Sequence, residues 1–324
     1  MKAAVLGVHG LAIQDQPRPT PGPEEVLVKV RAGALNRADL GILAGHKHGS
    51  TGGPGTIIGM EWSGEVSALG DKVSGFKIDD RVMCSGKAAF AEYAVADLGR
   101  VMHFPDADMS FEQAACLPVA LQTMHDAVVT HGAFQSGQSV LIQGASSGVG
   151  LMAMRIAKLM GASLVIGTST HAGRRARLHE YGADLALDSS DPGWVAAVLK
   201  ATEGQGVDLI VDQVSGPLAS QNLAATAIKG RIVNVGRLGG MRGEFDFDLH
   251  ALRRIHYIGV TFRTRSVEEV RQINAAMKRD LSGHLSQGRL QLPIDKTFRF
   301  EDLAAAYKHM RGNAHFGKIV VTMN

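Results

Sequence analysis

The chain has 324 residues, of which 45% are hydrophobic and 20% charged, and its formal net charge is +3. This length predicts two domains that each bury a core, and the composition excludes a disordered or fibrous chain. Basic residues are scattered and no run approaches the roughly 20 apolar residues of a membrane span, so we expect neither a nucleic-acid nor a membrane partner.

The first third of the sequence is rich in short strand signals. Residues 2–6 and 26–32 are apolar and β-branched, and the proline-rich stretch 16–23 between them excludes a helix or a central strand. Further strands are predicted at 64–69, 81–84 and 91–96. These elements indicate a β-rich domain, built as a barrel or a sandwich.

After residue 110 the hydrophobic period becomes helical, and from residue 139 strands and helices alternate. Helices are predicted at 111–117, 121–130, 149–160, 174–181, 194–202 and 217–227, and strands at 140–143, 163–167, 185–187, 207–211 and 231–235. Alternation of this kind predicts an α/β fold with a doubly wound parallel sheet. The tail adds a strand near Tyr257, helices at 267–283 and 301–311, and a strand at 317–323, and we expect it to return to the first domain.

Only two cysteines occur, Cys84 and Cys116. Two thiols exclude a disulfide framework and a four-thiolate zinc site, so both are expected to be buried and free. The first ten residues resemble a short strand and not a secretion signal, and we therefore expect a cytoplasmic protein.

The glycine-rich turn between the strand 140–143 and the helix 149–160 is the most informative segment. Its glycines let the backbone approach a pyrophosphate, and the N–H groups at the start of the helix bind it. The sequence therefore predicts a dinucleotide site. Its contact residues are Gly144, Ser146, Ser147, Gly148, Val149 and Gly150.

The end of the second strand of this α/β series predicts which dinucleotide binds. NAD enzymes usually carry an acidic side chain there, whereas this sequence has Thr168 and Ser169. Three arginines follow, Arg174, Arg175 and Arg177, of which Arg177 is expected on a solvated helix face and Arg174 at the cofactor. Hydroxyls and a guanidinium suit the 2′-phosphate of NADPH, which a carboxylate would repel. We therefore predict NADPH as the cofactor.

The same glycine pattern occurs in short-chain dehydrogenases, which provides an alternative. Those enzymes place the turn near the N-terminus and use a Tyr followed four residues later by Lys. Here the turn begins at Gly144, and none of the four tyrosines has a Lys at that spacing. That family is disfavoured.

The order of a β-rich start, an α/β middle and a returning tail resembles the medium-chain dehydrogenase/reductases over essentially the whole chain. The segments that carry the resemblance are 17–28, 59–66, 75–82, 206–212, 230–236 and 317–321. It implies a GroES-like β-rich catalytic domain over 1–120, a Rossmann NADPH-binding domain over 121–258, and a return to the catalytic domain over 259–324. It also implies cofactor contacts from Thr123, Val235, Gly236 and Lys318.

Zinc-binding members of this group carry a Cys after an early strand and a His in a Gly-His-Glu motif. This sequence has Asn36 and Met60 at those places, and it lacks the lobe with four cysteines. Without thiolate or imidazole ligands a catalytic zinc is not held, so no metal is expected. His46 and His48 lie close together in a Gly-rich loop, where they are expected to be solvated.

The segment Asn36-Arg-Ala-Asp39 resembles the quinone oxidoreductases, the zeta-crystallin-like branch of the group. This resemblance implies that Asn36 and Asp39 lie beside the nicotinamide, with Asn36 as a hydrogen-bond donor or a cofactor anchor. It also implies an acceptor pocket lined by Met60, Phe262 and Arg263. Those relatives often carry a Tyr at the position of Gly41, which leaves the identity of the acceptor open.

We therefore expect an NADPH-dependent reductase that passes hydride to a quinone or another conjugated carbonyl without zinc. One alternative is an enoyl, alkenal or 2-haloacrylate reductase on the same scaffold. A second alternative, of another class, is an NADPH-binding protein with little catalysis. An exposed sheet edge near residues 231–235 or beyond favours a homodimer.

Overall fold

The protein was analysed as a computed structural model that describes residues 1–105 and 108–323. The chain forms two compact units: the first comprises Met1–Gln122 and Phe262–Asn324, and the second comprises Thr123–Thr261. In chain order the elements begin with β1 (Lys2–Gly7), β2 (Gly10–Asp15), β3 (Glu25–Ala34), α1 (Arg37–Leu43), β4 (Thr56–Ile57), β5 (Glu61–Leu69), β6 (Arg81–Ser85), β7 (Tyr93–Asp97), β8 (Val101–His103), α2 (Phe111–Ala115) and α3 (Pro118–His125).

A π-helical turn at Asp126–His131 leads into the main α/β segment. Its elements are β9 (Ser139–Gln143), α4 (Gly148–Leu159), β10 (Leu164–Thr168), α5 (Ala172–Arg175), β11 (Leu185–Leu187), α6 (Trp194–Ala201), β12 (Val207–Asp212), α7 (Ala219–Ala225), β13 (Thr226–Asn234), α8 (Phe247–Arg253) and β14 (His256–Gly259). The chain closes with α9 (Val267–Ser286), β15 (Ile294–Arg299), α10 (Leu303–Arg311) and β16 (Lys318–Thr322).

The second unit is built on a six-stranded parallel sheet with the order β11-β10-β9-β12-β13-β14. Counted from β9, this is the order 3-2-1-4-5-6 of a Rossmann sheet, and the predicted doubly wound fold is confirmed. All five residues of β9 are buried, as expected for a strand covered on both faces. The chain leaves β9 toward β10 on one side and returns to β12 on the other, which creates a switch point at the carboxyl end of β9.

The two edges of this sheet are β11 and β14. Residues 231–234 belong to β13, which is internal because β12 and β14 flank it. The edge that the sequence predicted near residues 231–235 or beyond them is therefore β14, one strand further along the chain.

Two predicted helices of the second unit are shorter than expected. The helix predicted at 174–181 divides into α5 and a 3-10 turn, Leu178–Tyr181, which ends at Gly182 in a left-handed conformation. The helix predicted at 217–227 ends at Ala225, because Thr226 begins β13 and its hydroxyl donates to the Asn222 carbonyl. Strand pairing in the sheet outweighs local helix propensity there.

The first unit contains a seven-stranded sheet in which β3 is the central strand. β3 pairs with β5, β7 and β16, and β16 in turn pairs with β15. A smaller three-stranded sheet has the order β2-β1-β4. Trp62, Phe90 and Tyr307 are fully buried in the core of this unit, and the Phe90 and Tyr307 rings meet edge to face at 6.0 Å.

Six strands and helices were not predicted from the sequence: β2, α1, β4, β8, α8 and β15. Five of them are exposed or short, so the periodic burial that reveals an element is weak in their sequence. The sixth, α1, contains Gly41 and buries only Asp39 and Ile42. Within the described ranges, no helix combines the length and the apolarity needed to cross a membrane.

Candidate functional site

The glycine turn of the second unit lies at the switch point, between β9 and α4. Gly144 has a φ of +72°, a conformation that favours glycine. Gly150 has no room for a side chain, since a Cβ there would come within 2.7 Å of the Ala145 backbone. Ser147 caps α4, accepting from the Gly150 N–H at 3.1 Å and donating to the Gly144 carbonyl at 3.0 Å. The turn is therefore held tightly against the start of the helix.

The first N–H groups of α4, at Gly148 and Val149, have no acceptor inside the helix, because helical bonds begin later along the chain. Together with the helix dipole they form a cradle for an anion. The predicted residues 144–150 are thus brought together in one turn with the geometry that a pyrophosphate requires.

The buried side-chain amides of Gln143 and Asn222 hold this turn in place. Gln143 donates to the Asn222 side chain at 2.9 Å and accepts from the Thr168 hydroxyl at 2.7 Å. Thr168 also accepts from the Gly144 N–H at 3.1 Å and is fully buried. Its hydroxyl therefore holds the turn in place instead of presenting itself to solvent.

The loop after β10 carries the hydroxyl and guanidinium groups predicted for cofactor selection. The Ser169 hydroxyl donates to Ser146 at 3.1 Å, which links this loop to the glycine turn. Arg175 donates to the Ser169 carbonyl at 2.8 Å and to Asp188 at 2.9 Å. Arg174 is half-buried in α5, and Arg177 pairs with Glu180. Arg175, which the sequence placed in the arginine group but which was not chosen as a contact residue, is thus the arginine tied to Ser169.

The carboxyl ends of β12 and β13 complete this edge of the sheet. Asp212 accepts from the backbone N–H groups of Val214 and Ser215, so it acts as a cap of the turn. Burial raises the pKa of Asp212. Ser215 has a φ of +58°, an unfavourable conformation for a residue with a side chain, and its hydroxyl donates to the Gly236 carbonyl at 2.6 Å. Strain of this size, about 1–3 kcal/mol, is common at functional sites.

The remaining residues predicted to contact the cofactor are only partly exposed. Val235 and Gly236 follow β13, and both donate their N–H groups to the Asp212 carbonyl. A Cβ at Gly236 would come within 2.5 Å of the Gln213 carbonyl, so the two loops touch there. Thr123 lies half-buried in α3.

In the first unit, a buried ion pair joins Glu61 to Lys318. The Lys318 ammonium donates to Glu61 Oε1 and, at 3.2 Å, to Asn36 Oδ1. Glu61 Oε1 also accepts from Asn36 Nδ2 at 3.0 Å, while Oε2 accepts from the Val119 N–H at 2.9 Å. Glu61 is fully buried, and Lys318 is 5% exposed. We call Asn36, Glu61 and Lys318 the polar cluster.

The polar cluster fixes the orientation of the Asn36 amide. An ammonium only donates hydrogen bonds, so the amide oxygen must face Lys318 and the amide nitrogen must face Glu61. The second N–H of Nδ2 is directed to the Ala34 carbonyl at 3.3 Å. Both amide N–H groups of Asn36 therefore point to protein oxygens. Lys318 is engaged by the cluster, and its predicted contact with a cofactor stays a prediction.

Asp39 lies next to the polar cluster, at the start of α1, and is fully buried. One carboxyl oxygen accepts from the Asn36 N–H at 2.8 Å, and the other, Oδ1, makes no regular hydrogen bond within residues 1–105 and 108–323. Burial raises the pKa of Asp39 to about 7, in spite of the nearby Lys318 charge. Burial and the nearby Asp39 carboxylate raise the pKa of the Tyr307 hydroxyl.

The residues predicted to line the acceptor pocket all belong to the first unit. A Cβ at Gly41 would meet nothing within 4 Å, so the space of the missing Tyr is open. Met60 is half-buried and follows Gly59, where a Cβ would collide with Ala89. Phe262 is half-buried and Arg263 is exposed.

The polar cluster does not suit a catalytic zinc ion. Asn36 and Met60 supply neither a thiolate nor an imidazole, and the Glu61 carboxylate is already neutralised by Lys318. Cys84 and Cys116 are buried thiols whose pKa values burial raises, that of Cys116 to about 12. In the part of the chain that the structure describes, no three His, Cys, Asp or Glu side chains are grouped as metal ligands.

Sequence reasoning missed the partners of the predicted residues more often than the residues themselves. Glu61 stood in the motif at 59–61 but received no role, and Tyr307, Arg175 and Asp188 were not selected. The position of Glu61, directly after Met60 in this motif, was a signal that a carboxylate is buried here. A buried carboxylate requires a cation as its partner. Nothing in the local sequence pointed to Lys318 as that cation.

Comparison with known proteins identifies the two parts of the chain separately. Residues 22–106 match a family described as Alcohol dehydrogenase GroES-like domain, and residues 148–279 match one described as Zinc-binding dehydrogenase. The human protein named quinone oxidoreductase is 28% identical over 308 residues, covering 94% of this chain and 91% of its own length.

Further relatives are much longer proteins. The highly reducing polyketide synthase claI of Penicillium crustosum is 29% identical over 92% of this chain, yet the chain spans only 13% of that protein's length. Among solved structures, CurK enoyl reductase superposes with a TM-score of 0.87 at 26% identity, covering 100% of this chain and 99% of that one.

Proposed function

The chain belongs to the medium-chain dehydrogenase/reductase family of oxidoreductases, and from this premise we propose that it is a zinc-independent, NADPH-dependent reductase of quinones or other conjugated carbonyls. The observation that carries the proposal is the glycine turn at the switch point of the Rossmann sheet, with Gly150 pressed against the turn and α4 opening toward an anion.

In this proposal the second unit holds the dinucleotide. Residues 144–150 bind the pyrophosphate, and the loop after β10 binds the adenosine end, with Ser169 and Arg174 as the predicted contacts. Arg175 joins them because it is fixed by Asp188 beside Ser169. Guanidinium groups form strong paired hydrogen bonds with phosphate, which supports NADPH over NADH. When bound, the cofactor supplies a hydride to the acceptor.

The first unit contributes the groups beside the acceptor. Asn36 serves as an anchor and not as a donor, since both of its amide N–H groups are already engaged inside the protein. Asp39 supports it by accepting the Asn36 backbone N–H. Negative charge that develops on an acceptor oxygen then has to be balanced by other donors in the pocket or by solvent, which also supplies the proton.

Independence from zinc follows in this proposal from the Lys318 ammonium. It supplies, within the protein, the positive charge that the buried Glu61 carboxylate requires, at a place where thiolate and imidazole ligands are missing. A metal is then needed neither for folding of the cluster nor for hydride transfer to an electron-poor acceptor.

The direct test follows NADPH absorbance against a panel of quinones, enones, enals and 2-substituted acrylates, with NADH as the control and elemental analysis of the same sample. We expect turnover with NADPH and less than a tenth of a zinc ion per chain. Stoichiometric zinc, or no NADPH binding in calorimetry, would refute the proposal. Tight NADPH binding without any turnover would favour the alternative of a binding protein.

A reductase of activated carbon–carbon double bonds is the second candidate. The similarity to CurK enoyl reductase and to the reducing polyketide synthases supports it, as does the open space at Gly41. Reduction of enoyl thioesters at a rate above that of every quinone in the panel would establish this candidate.

A cytoplasmic location of the protein stays a prediction.

We further propose a homodimer that forms through β14, one of the two edge strands of the Rossmann sheet. Beside this edge, Phe247 is 76% exposed, Leu252 is 72% exposed, and Phe245 stacks edge to face on Tyr257 at 5.6 Å. An unpaired strand flanked by apolar side chains is suited to pairing with a second copy. Light scattering on the native chain and on Phe247→Glu tests this: the variant should be monomeric, and an unchanged mass would contradict the proposed interface.

A further inference from the structure

A buried asparagine of α7 joins the ends of two neighbouring strands of the Rossmann sheet. The amide oxygen of Asn222 accepts from Gln143 Nε2 at 2.9 Å, and its amide nitrogen donates to Asp212 Oδ2 at 3.1 Å. Gln143 ends β9 and Asp212 ends β12, and the two residues are paired in the sheet. Asn222 therefore connects two strand ends of the candidate site from within a helix that was not predicted to contact the cofactor.

The contacts of Asn222 continue to the glycine turn as one chain of hydrogen bonds. The Gly144 N–H donates to the Thr168 hydroxyl at 3.1 Å, and this hydroxyl donates to Gln143 Oε1 at 2.7 Å. We call Thr168, Gln143, Asn222 and Asp212 the relay, and all four side chains are fully buried. Buried hydrogen bonds that point in the same direction polarise one another. The orientation of each group in the relay therefore depends on the others.

The Asp212 carboxylate determines the direction of the relay. An ionised carboxylate accepts hydrogen bonds and donates none, so the Asn222 amide nitrogen must face Asp212 and its amide oxygen must face Gln143. Gln143 then presents its own amide oxygen to the Thr168 hydroxyl. Because the hydroxyl proton is used in that bond, the Thr168 oxygen is left to accept from the Gly144 N–H. The orientation of the Gly144 peptide thus follows from a charge at the other end of the relay.

The remaining contacts of Asp212 extend to the loops after β12 and β13. Its Oδ1 accepts from the N–H groups of Val214 and Ser215, and its backbone carbonyl accepts from those of Val235 and Gly236. Val235 and Gly236 are predicted cofactor contacts. The relay therefore connects these predicted contacts to the glycine turn through a continuous series of hydrogen bonds.

We propose that Asn222 is a positioning residue for the dinucleotide, which holds the glycine turn in its binding orientation through Gln143 and Thr168. The inference rests on the proposed function, since the pyrophosphate is placed there at residues 144–150. With the Gly144 N–H directed to Thr168, the N–H groups at the start of α4 remain for the phosphate. Asn222 is fully buried and acts only through its neighbours, so its effect is on pyrophosphate binding and not on selection of the 2′-phosphate.

The test first breaks the relay at two of its members. Asp212→Asn brings an amide nitrogen against that of Asn222, because the oxygen at position 212 must still accept from the turn after β12. Asn222→Leu is similar in size and removes both hydrogen bonds of the asparagine. Each single variant should weaken NADPH binding in calorimetry about tenfold, the effect of one lost buried hydrogen bond.

The double variant Asp212→Asn/Asn222→Asp exchanges the two side chains and should restore NADPH binding to within about threefold of the wild type. In it the amide nitrogen at position 212 donates to the carboxylate at position 222, whose other oxygen accepts from Gln143 Nε2, so the relay and its charge are kept. Adenosine 2′-monophosphate, which has no pyrophosphate, is the second ligand. Its affinity should change less than about twofold in all three variants, because the glycine turn binds the pyrophosphate.

Asn274→Asp is the matched control, because Asn274 is a buried asparagine of the first unit whose amide donates to the Gly99 carbonyl at 3.0 Å. This variant should leave NADPH affinity unchanged. Thr168→Val breaks the relay at its other end and takes the place of the single variants if neither of them folds, with the same expected loss of affinity.

Wild-type NADPH affinity in the variants that break the relay overturns the inference while the proposed function stands. A double variant that does not fold, or that binds no better than Asp212→Asn, overturns it in the same way. Equal losses for adenosine 2′-monophosphate also overturn it, since they indicate a general disturbance of the second unit. If the wild type binds no NADPH, the proposed function itself fails and the inference fails with it.

Discussion

Asp39 provides a quantitative test of the buried charges beside the proposed active site. Burial raises its pKa to about 7 in the folded protein, from the ordinary value of 3.8 that it has in the unfolded chain. At 1.36 kcal/mol per unit, ionising this carboxyl in the folded state costs about 4 kcal/mol relative to the unfolded chain. The contribution of protonated Asp39 to stability is fully present below pH 3.8 and is lost as the pH rises toward 7.

Asp39→Asn should remove this pH dependence. Between pH 5 and pH 8 the two pKa values imply a loss of about 3 kcal/mol for the wild type through this group, whereas the amide of the variant does not titrate. The amide oxygen can still accept the Asn36 N–H, so α1 keeps its cap. The variant should therefore gain in stability relative to the wild type as the pH rises.

The measurement is urea unfolding of both proteins at pH 5, 6, 7 and 8, followed by tryptophan fluorescence. The chain has two tryptophans, Trp62 in the first unit and Trp194 in the second, so a Trp194→Phe background restricts the signal to the unit that contains Asp39. Asp71→Asn, which changes an exposed carboxylate of the same unit, is the control. A stability difference between Asp39→Asn and wild type that stays constant from pH 5 to pH 8 would refute the reasoning.

Three further predictions test the two sites. Glu61→Gln leaves the Lys318 ammonium buried without its counter-ion and should cost about 3–5 kcal/mol in urea unfolding, and adding Lys318→Met should restore part of the loss. Gly150→Ala places a Cβ against the turn and should weaken NADPH binding in calorimetry at least tenfold. Arg175→Gln removes one charge-assisted contact near Ser169 and should weaken NADPH binding about tenfold while leaving NADH binding nearly unchanged.

The glycine and arginine substitutions each have a control of the same chemical kind. Gly283→Ala lies in α9, where a Cβ meets nothing within 4 Å, and should not affect NADPH binding. Arg177→Gln removes the arginine that pairs with Glu180 and should also leave it unaffected. Strictly additive losses in the Glu61 and Lys318 pair would argue against their coupling. Equal losses of NADPH and NADH affinity in Arg175→Gln would place that residue outside the selection of the phosphate.

Much of the α/β unit was predictable because its signals are local. Strand β9 has a continuous apolar run, the glycine turn follows it directly, and β11 was predicted at its observed bounds, Leu185–Leu187. The strands of a parallel sheet that is buried on both faces appear in the sequence as continuous apolar stretches. The elements that were missed, such as β2 and β15, are largely exposed and depend on pairing with distant strands.

The candidate site was predictable in its residues and not in their contacts. Asn36, Asp39 and Lys318 were all selected, the first two as catalytic residues and the last as a cofactor ligand. That Asn36 and Lys318 both bind Glu61, and that Asp39 lies beside them, could not be inferred from spacing. Likewise, Arg174 was selected for the phosphate, yet Arg175 is the arginine that Asp188 ties to Ser169.

By itself, the sequence determined the Rossmann sheet and the glycine turn, because hydrophobic period, glycine placement and helix start act over a few neighbouring residues. Only the tertiary structure decided the pairing and orientation of the groups in the polar cluster, whose members Glu61 and Lys318 are 257 positions apart. The cost of burying a charge depends on which partner the fold brings to it, and that partner is chosen by the packing of the whole unit.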